Sequence, residues 1–110
     1  MREFITDIMV EKALDYLRDS AENYARWKAR MKYLESHRKS VRSSEVLNAT
    51  GKTITENTHR GESSKAYNDI LQEYEEAVYE FTLIDAMRKA AEIKIEVWRS
   101  ISSANKRGNI

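Results

Sequence analysis

The chain contains no cysteine and no proline, and only three of its 110 residues are glycine. Without cysteine it can form no disulfide, no thiolate nucleophile and no zinc site with sulfur ligands. Without proline, and with glycine only at Gly51, Gly61 and Gly108, little interrupts regular secondary structure. The sequence therefore predicts a single domain, residues 1–110, made of a few long elements.

Long apolar runs are also absent, since no run exceeds three residues, such as that from Ile8 to Val10. A transmembrane helix needs about 20 predominantly apolar residues, so no membrane association is predicted. The chain shows no signal-peptide pattern, and it has no cysteine to oxidise. We therefore expect a cytoplasmic protein.

Two segments, 10–41 and 67–98, carry apolar residues at the alternating 3,4 spacing of a heptad repeat. Each segment has ten such positions, and the polar exceptions are Ser20, Arg38 and Arg88. This spacing predicts two helices that pack along a narrow seam. The fold class is therefore all-α, a long antiparallel two-helix hairpin that resembles a coiled coil.

Capping residues suggest where these helices end. Gly51 is expected at the C′ position of helix 1, and either Ser63 or Ser64 at the N-cap of helix 2. Thr53 and Glu56 have the spacing of a capping box. The predicted elements are helix 1 at about 3–50, a loop with a short helical turn at 51–63, helix 2 at about 64–101, and a frayed tail at 102–110.

Charge is distributed in blocks that favour an antiparallel arrangement. Residues 26–42 contain seven basic and one acidic side chains, whereas residues 62–85 contain one basic and seven acidic. Residues 1–25 are net acidic and residues 86–110 net basic. An antiparallel hairpin brings opposite charges together, and a parallel one would bring like charges together. The matching register places Trp27 opposite Phe81, Ser20 opposite Arg88, and Arg30 near Glu80.

Helix 2 carries more apolar surface than one seam can bury, and helix 1 has a similar surplus at its start. An exposed apolar patch of this kind indicates an interface. We expect self-association into a four-helix bundle or a larger homo-oligomer, with docking onto a different protein as the alternative. The predicted interface residues are Phe4, Ile5, Ile8, Met9, Leu83, Ala86, Met87, Ala90, Ile93, Val97 and Ile101.

The basic part of helix 1 has two interpretations. Basic side chains interleaved with aromatic ones are typical of nucleic-acid surfaces. The favoured interpretation is that these cations neutralise the acidic half of helix 2. Arg26, Lys32 and Lys39 nevertheless lie at outward heptad positions of helix 1, and together with Arg99, which belongs to the tail, they are the candidate nucleic-acid contacts.

No motif in the chain indicates catalysis. Glu56 and His59 have the spacing of one di-iron ligand pair, but a ferritin-like site needs two such pairs and two further glutamates on four helices. Serine, histidine and aspartate occur without any pattern that would form a triad. The sequence therefore predicts a non-enzyme that binds no cofactor and no metal.

The segment from Ala91 to Ser100, with its Ser-, Asn- and Arg-rich continuation, resembles the end of small phage and prophage proteins of about 100 residues. The segment from Ala13 to Leu17, and Gly51-Lys52-Thr53 together with Tyr67, are similar to the same family. This resemblance implies a phage-encoded accessory protein, placed in the host cytoplasm, whose genes neighbour those of replication and recombination. The expected function is thus a self-associating interaction protein whose partners are a second copy of the chain or a host or phage protein. The alternative is a nucleic-acid-binding accessory factor of phage replication and recombination that uses the basic part of helix 1.

Overall fold

The structure, a computed structural model, describes residues 5–108 apart from the side chain of Arg107. It contains three helices: α1 (Asp7–Leu47), α2 (Ile54–Glu62) and α3 (Lys65–Gly108). No strand occurs in the described range. The all-α prediction is confirmed, and two of the three helices are the long heptad segments.

Helix α1 begins at a threonine cap and ends earlier than predicted. The backbone N–H of Met9 donates to Thr6 Oγ1 over 3.2 Å. At the other end, the N–H of Ala49 donates to the carbonyl of Val46 over 3.3 Å, which closes a tight last turn. The predicted C′ role of Gly51 is wrong, because the helix ends at Leu47 and no described glycine has a positive φ.

Helix α2 is longer than the short helical turn that the sequence predicts, and the predicted capping role of Thr53 is confirmed. Thr53 Oγ1 accepts from the N–H of Glu56 over 3.0 Å. The carboxylate of Glu56 reaches back to the N–H of Lys52, also over 3.0 Å, and its other oxygen accepts from Arg60. These hydrogen bonds, the one from Lys52 first, lower the pKa of Glu56 below its ordinary value.

Gly61 is the point where α2 lies against the end of α1. A Cβ atom at this position would stand 2.5 Å from Val46 Cγ2, 2.8 Å from the backbone nitrogen of Val46 and 2.9 Å from its Cα. Because φ at Gly61 is not positive, space rather than backbone conformation requires the glycine here. Gly61 is buried, as this close approach implies.

Of the two predicted N-cap residues, Ser64 caps helix α3, because its Oγ accepts from the N–H of Tyr67 over 3.1 Å. The side-chain amide of Asn68 donates to the carbonyls of Glu62 and Ser64. The helix continues to Gly108, although the sequence predicts a frayed tail from residue 102. Residues 102–107 include no proline or glycine, so nothing in this stretch breaks the helix.

The chain divides into two compact units, where one domain was predicted. The central unit comprises Ala25–Phe81, and the terminal unit combines the residues up to Tyr24 with those from Thr82 onward. In the central unit, Arg30 of α1 pairs with Glu73 of α3 at 3.7 Å, and Arg42 of α1 pairs with Glu62, the last residue of α2, at 3.0 Å. The core of this unit is formed by Leu34, Ile70 and Ala77, with Trp27, Met31, Val41, Tyr67 and Tyr74 packed against it.

In the terminal unit α1 and α3 run antiparallel, since Asp7 contacts Trp98 and Ser20 contacts Arg88, and the buried residues are small. Val10, Ala13 and Ala91 are its buried apolar side chains. Trp98 Nε1 donates to Asp7 Oδ1 over 2.9 Å, which joins the start of α1 to a late turn of α3. Across both units every one of the twenty predicted seam positions is buried or half-buried. The heptad interpretation of both helices is therefore confirmed.

Candidate interaction surfaces

One apolar surface of the terminal unit lies in solvent. We define the outer stripe as Leu83, Ala86, Ala90, Ile93 and Val97 of α3, all of which are exposed. The exposed fraction is 63% for Ile93 and 44% for Leu83. Met87 and Ile101, at its edge, are 49% and 40% exposed. The predicted α3 interface residues are therefore accessible in the monomer.

The outer stripe repeats the 3,4 spacing of the inner seam on another side of the same helix. At 3.6 residues per turn, its centre lies about 160° around α3 from the seam that contacts α1. The stripe thus points away from α1. A helix with apolar stripes on two nearly opposite sides is typical of a helix with neighbours on both sides.

Charged residues border the outer stripe and form ion pairs along α3. Lys89 Nζ lies 2.8 Å from Asp85 Oδ2, and Arg99 lies 2.9 Å from Glu96 Oε1. The hydrogen bond to Asp85 raises the pKa of Lys89. Lys89, Glu96 and Arg99 are each about two-thirds exposed, so solvent screens these pairs and they constrain the side chains weakly.

The predicted interface residues of α1 are less accessible. Ile5 and Met9 are half-buried within the monomer, and Ile8 is 65% exposed. Ile8 lies on the side of α1 remote from its seam, by the same heptad count. Phe4 lies outside the described residues. The accessible part of the predicted interface is therefore concentrated on α3.

A polar cluster crosses the seam of the terminal unit. The Arg88 guanidinium donates to the carbonyl of Leu17 over 2.7 Å and to Ser20 Oγ over 2.8 Å. It also lies 4.8 Å from the centre of the Tyr24 ring, and the Tyr24 hydroxyl donates to Asp85 over 3.2 Å. The predicted apposition of Ser20 and Arg88 is thus observed. Arg88 is therefore held by acceptors on α1.

The basic part of α1 is only partly neutralised. Arg30 and Arg42 pair with acidic residues of the central unit, as the favoured interpretation requires, although Arg30 pairs with Glu73 instead of Glu80. Arg38 lies 4.8 Å from the centre of the Tyr74 ring. In the described range, Lys32 and Lys39 are exposed and form no ion pair.

The other two candidate nucleic-acid contacts differ from these lysines. Arg26 is exposed on α1, whereas Arg99 pairs with Glu96 on α3. Trp27 is half-buried and packs against the core, so its ring is not freely exposed for base stacking. A basic surface formed by the lysines of α1 remains, and the aromatic ring exposed beside it is that of Tyr33, which is 58% exposed and stacks on His37.

Acidic side chains of α3 line a shallow open depression in the central unit. It is formed by Asp69, Gln72, Glu73, Glu75, Glu76 and Tyr79. No group of three or more potential ligand side chains among residues 5–108 could hold a metal ion. All six side chains are exposed, so the depression is a solvated acidic surface.

Comparison with protein-family models, curated proteins and solved structures gives no match. The phage resemblance thus stays a prediction. No helix in the described part of the chain has the length and apolar content needed to cross a membrane.

Proposed function

We propose that this chain is a non-enzymatic protein that associates with itself through the outer stripe of α3. The observation that carries the proposal is the exposure of five apolar residues at heptad spacing on α3, whose other apolar stripe already packs against α1. Fully burying a leucine, isoleucine or valine side chain contributes ~1.5–3 kcal/mol. Leu83, Ile93 and Val97 are 44%, 63% and 39% exposed, so a second helix on the stripe gains about half of that range from each. A phage-encoded accessory role is part of the proposal and rests on the sequence resemblance.

Sedimentation velocity tests the proposal. At 100 µM the wild type is expected to have at least twice the monomer mass of 12.9 kDa. The double variant Ile93→Glu/Val97→Glu places two charges in the outer stripe. We expect it to weaken association by at least ~100-fold, because those charges would be desolvated in the interface.

The matched control is Leu47→Glu/Ile54→Glu, which introduces the same two charges. Leu47 and Ile54 are 83% and 87% exposed and lie in the central unit. This variant is expected to keep the wild-type mass, and circular dichroism checks that both variants stay helical. A wild type that is monomeric at 100 µM would contradict the proposal.

We propose nucleic-acid binding as the second candidate function, favoured by Lys32 and Lys39, which are exposed and form no ion pair with any described residue. The test is a mobility shift with single- and double-stranded DNA at low salt. Lys32→Gln/Lys39→Gln should weaken binding and reduce its salt dependence. Lys65→Gln is the control, since Lys65 pairs with Asp69 at 2.6 Å. Absence of any shift at low salt would exclude this candidate.

A further inference from the structure

We infer that two copies of the chain pair through their outer stripes in antiparallel orientation, about a two-fold axis that passes between Ala91 and Glu92 of α3. This inference rests on the self-association proposed above, and it adds which residues meet. It follows from the order of large, small and charged side chains along one exposed helix face.

The apolar positions are complementary in size under this arrangement. In an antiparallel pair of heptad stripes, residues equally distant from the axis face each other. Ala90 then faces Ile93 of the second copy, and Ala86 faces Val97. Each contact joins a small side chain to a larger one, which lets the two helices interdigitate without a void.

The border of the stripe is complementary in charge. The same axis brings Lys89 close to Glu96 of the second copy, and the symmetry forms this contact twice. On the other border, Met87 lies near Lys94 of the second copy, where the apolar stem of the lysine can cover the methionine. The arrangement therefore contains two attractive charge contacts and no like-charge contact at these positions.

Neighbouring arrangements lack this complementarity. A shift of one heptad in one direction places Lys89 beside Lys89 of the second copy. A shift in the other direction places Glu96 beside Glu96 and Lys94 beside Lys94. A parallel pair brings Lys89 close to Lys94 of the second copy, again twice. Like charges at flanking positions disfavour each alternative, and such contacts set the orientation of paired helices.

The ion pairs that Lys89 and Glu96 form within one chain do not prevent these residues from pairing with the second copy. Lys89 and Glu96 pair along α3 with Asp85 and Arg99, but both side chains are exposed. Exposed intrahelical pairs are weak, so each side chain can turn toward the second copy. Because the outer stripe points away from α1, α1 of each copy stays outside the contact. The pairing thus uses α3 alone, unlike the predicted four-helix bundle, in which all helices share one core.

Charge exchange tests the orientation. Lys89→Glu and Glu96→Lys are each expected to weaken association ~10-fold, because each creates two like-charge contacts. The double variant Lys89→Glu/Glu96→Lys should return to within ~3-fold of wild type. A parallel dimer would instead be strengthened by Lys89→Glu, and that result would overturn the inference.

Controls for lost intrahelical pairs are available in the same chain. Lys65→Glu removes a lysine–aspartate pair of the same i,i+4 spacing as Lys89 and Asp85. Asp15→Lys removes an i,i+3 pair with Arg18, as Glu96→Lys does with Arg99. Neither control is expected to change the dissociation constant. A change as large as that of the test variants would overturn the inference.

Cysteine cross-linking tests the register, and the chain has no native cysteine to interfere. A mixture of Ala86→Cys and Val97→Cys chains should form a disulfide-linked heterodimer under mild oxidation. Each variant alone should not, because its two cysteines would lie about 16 Å apart along the helices, too far for a disulfide. Rapid cross-linking of Val97→Cys alone would overturn the inference. A dimeric wild type with that outcome leaves the proposed function standing, whereas a monomeric wild type overturns both.

Discussion

Gly61→Ala should destabilise the protein, although the same change in an ordinary helix is stabilising. Alanine is favoured over glycine in a helix interior by about 1 kcal/mol. At this position, however, the new Cβ would meet three atoms of Val46 at 2.5 to 2.9 Å, and two of them belong to the backbone. Backbone atoms cannot rotate away, so α2 and the last turns of α1 must separate.

The magnitude follows from the difference between these two effects. Overpacking costs about 1–3 kcal/mol, and contacts this short with backbone justify the upper end. Subtracting the gain in helix propensity leaves a net loss of about 2 kcal/mol. For a chain of this size that corresponds to a fall in melting temperature of roughly 10 °C.

Thermal unfolding followed by circular dichroism measures the effect, and hydrogen exchange localises it to α2 and the end of α1. Gly108→Ala is the control, since no atom lies within 4 Å of the added Cβ, and it should cause no loss. Combining Gly61→Ala with Val46→Ala should restore stability only in part, because the backbone contacts persist. A Gly61→Ala variant as stable as wild type would refute the close packing of α2.

Three further predictions concern individual side chains. Trp27→Ala should lower the free energy of unfolding by about 2–3 kcal/mol in chemical denaturation, less than the loss of a fully buried aromatic side chain, because Trp27 is half-buried against the core. In single-tryptophan variants, Trp27 should emit at shorter wavelength than Trp98. Arg88→Ala should cost about 2–3 kcal/mol by the same measurement, and Arg88→Lys about 1 kcal/mol, since lysine cannot reproduce the two-pronged contact with α1. The lowered pKa of Glu56 means that its contribution to stability is present above the ordinary carboxyl pKa and is lost as pH falls through the folded-state pKa. The amide of Lys52 should therefore lose protection from hydrogen exchange on acidification, and Glu56→Gln should weaken this pH dependence.

The seam could be predicted from sequence because heptad spacing reports directly which side of a helix is buried. The same pattern, with the charge blocks, placed Ser20 opposite Arg88, and the structure shows their hydrogen bond. The predicted contact of Arg30 with Glu80 failed for a physical reason. Both side chains are long and flexible and exposed ion pairs are weak, so heptad spacing does not determine which acidic residue Arg30 contacts, and it pairs with Glu73.

Features that depend on three-dimensional proximity could not be predicted. The role of Gly61 follows from Val46, which lies fifteen residues earlier in the sequence, and no local pattern relates the two. The end of α3 was set too early because serine and asparagine are weak helix formers, yet neither stops a helix that is already long. The exposed face of α3 could be identified from spacing, because an apolar residue without a seam position has no partner in a hairpin.

Arg88 also limits how the amino-acid sequence can diverge. If α1 and α3 slipped by one heptad, its guanidinium would face Ala13 or Trp27, and neither side chain carries an oxygen acceptor. An apolar residue at position 20 would remove the acceptor that Ser20 provides in the observed pairing. We therefore expect positions 20 and 88 to covary in related chains: those that lack a polar residue at 20 should lack arginine at 88.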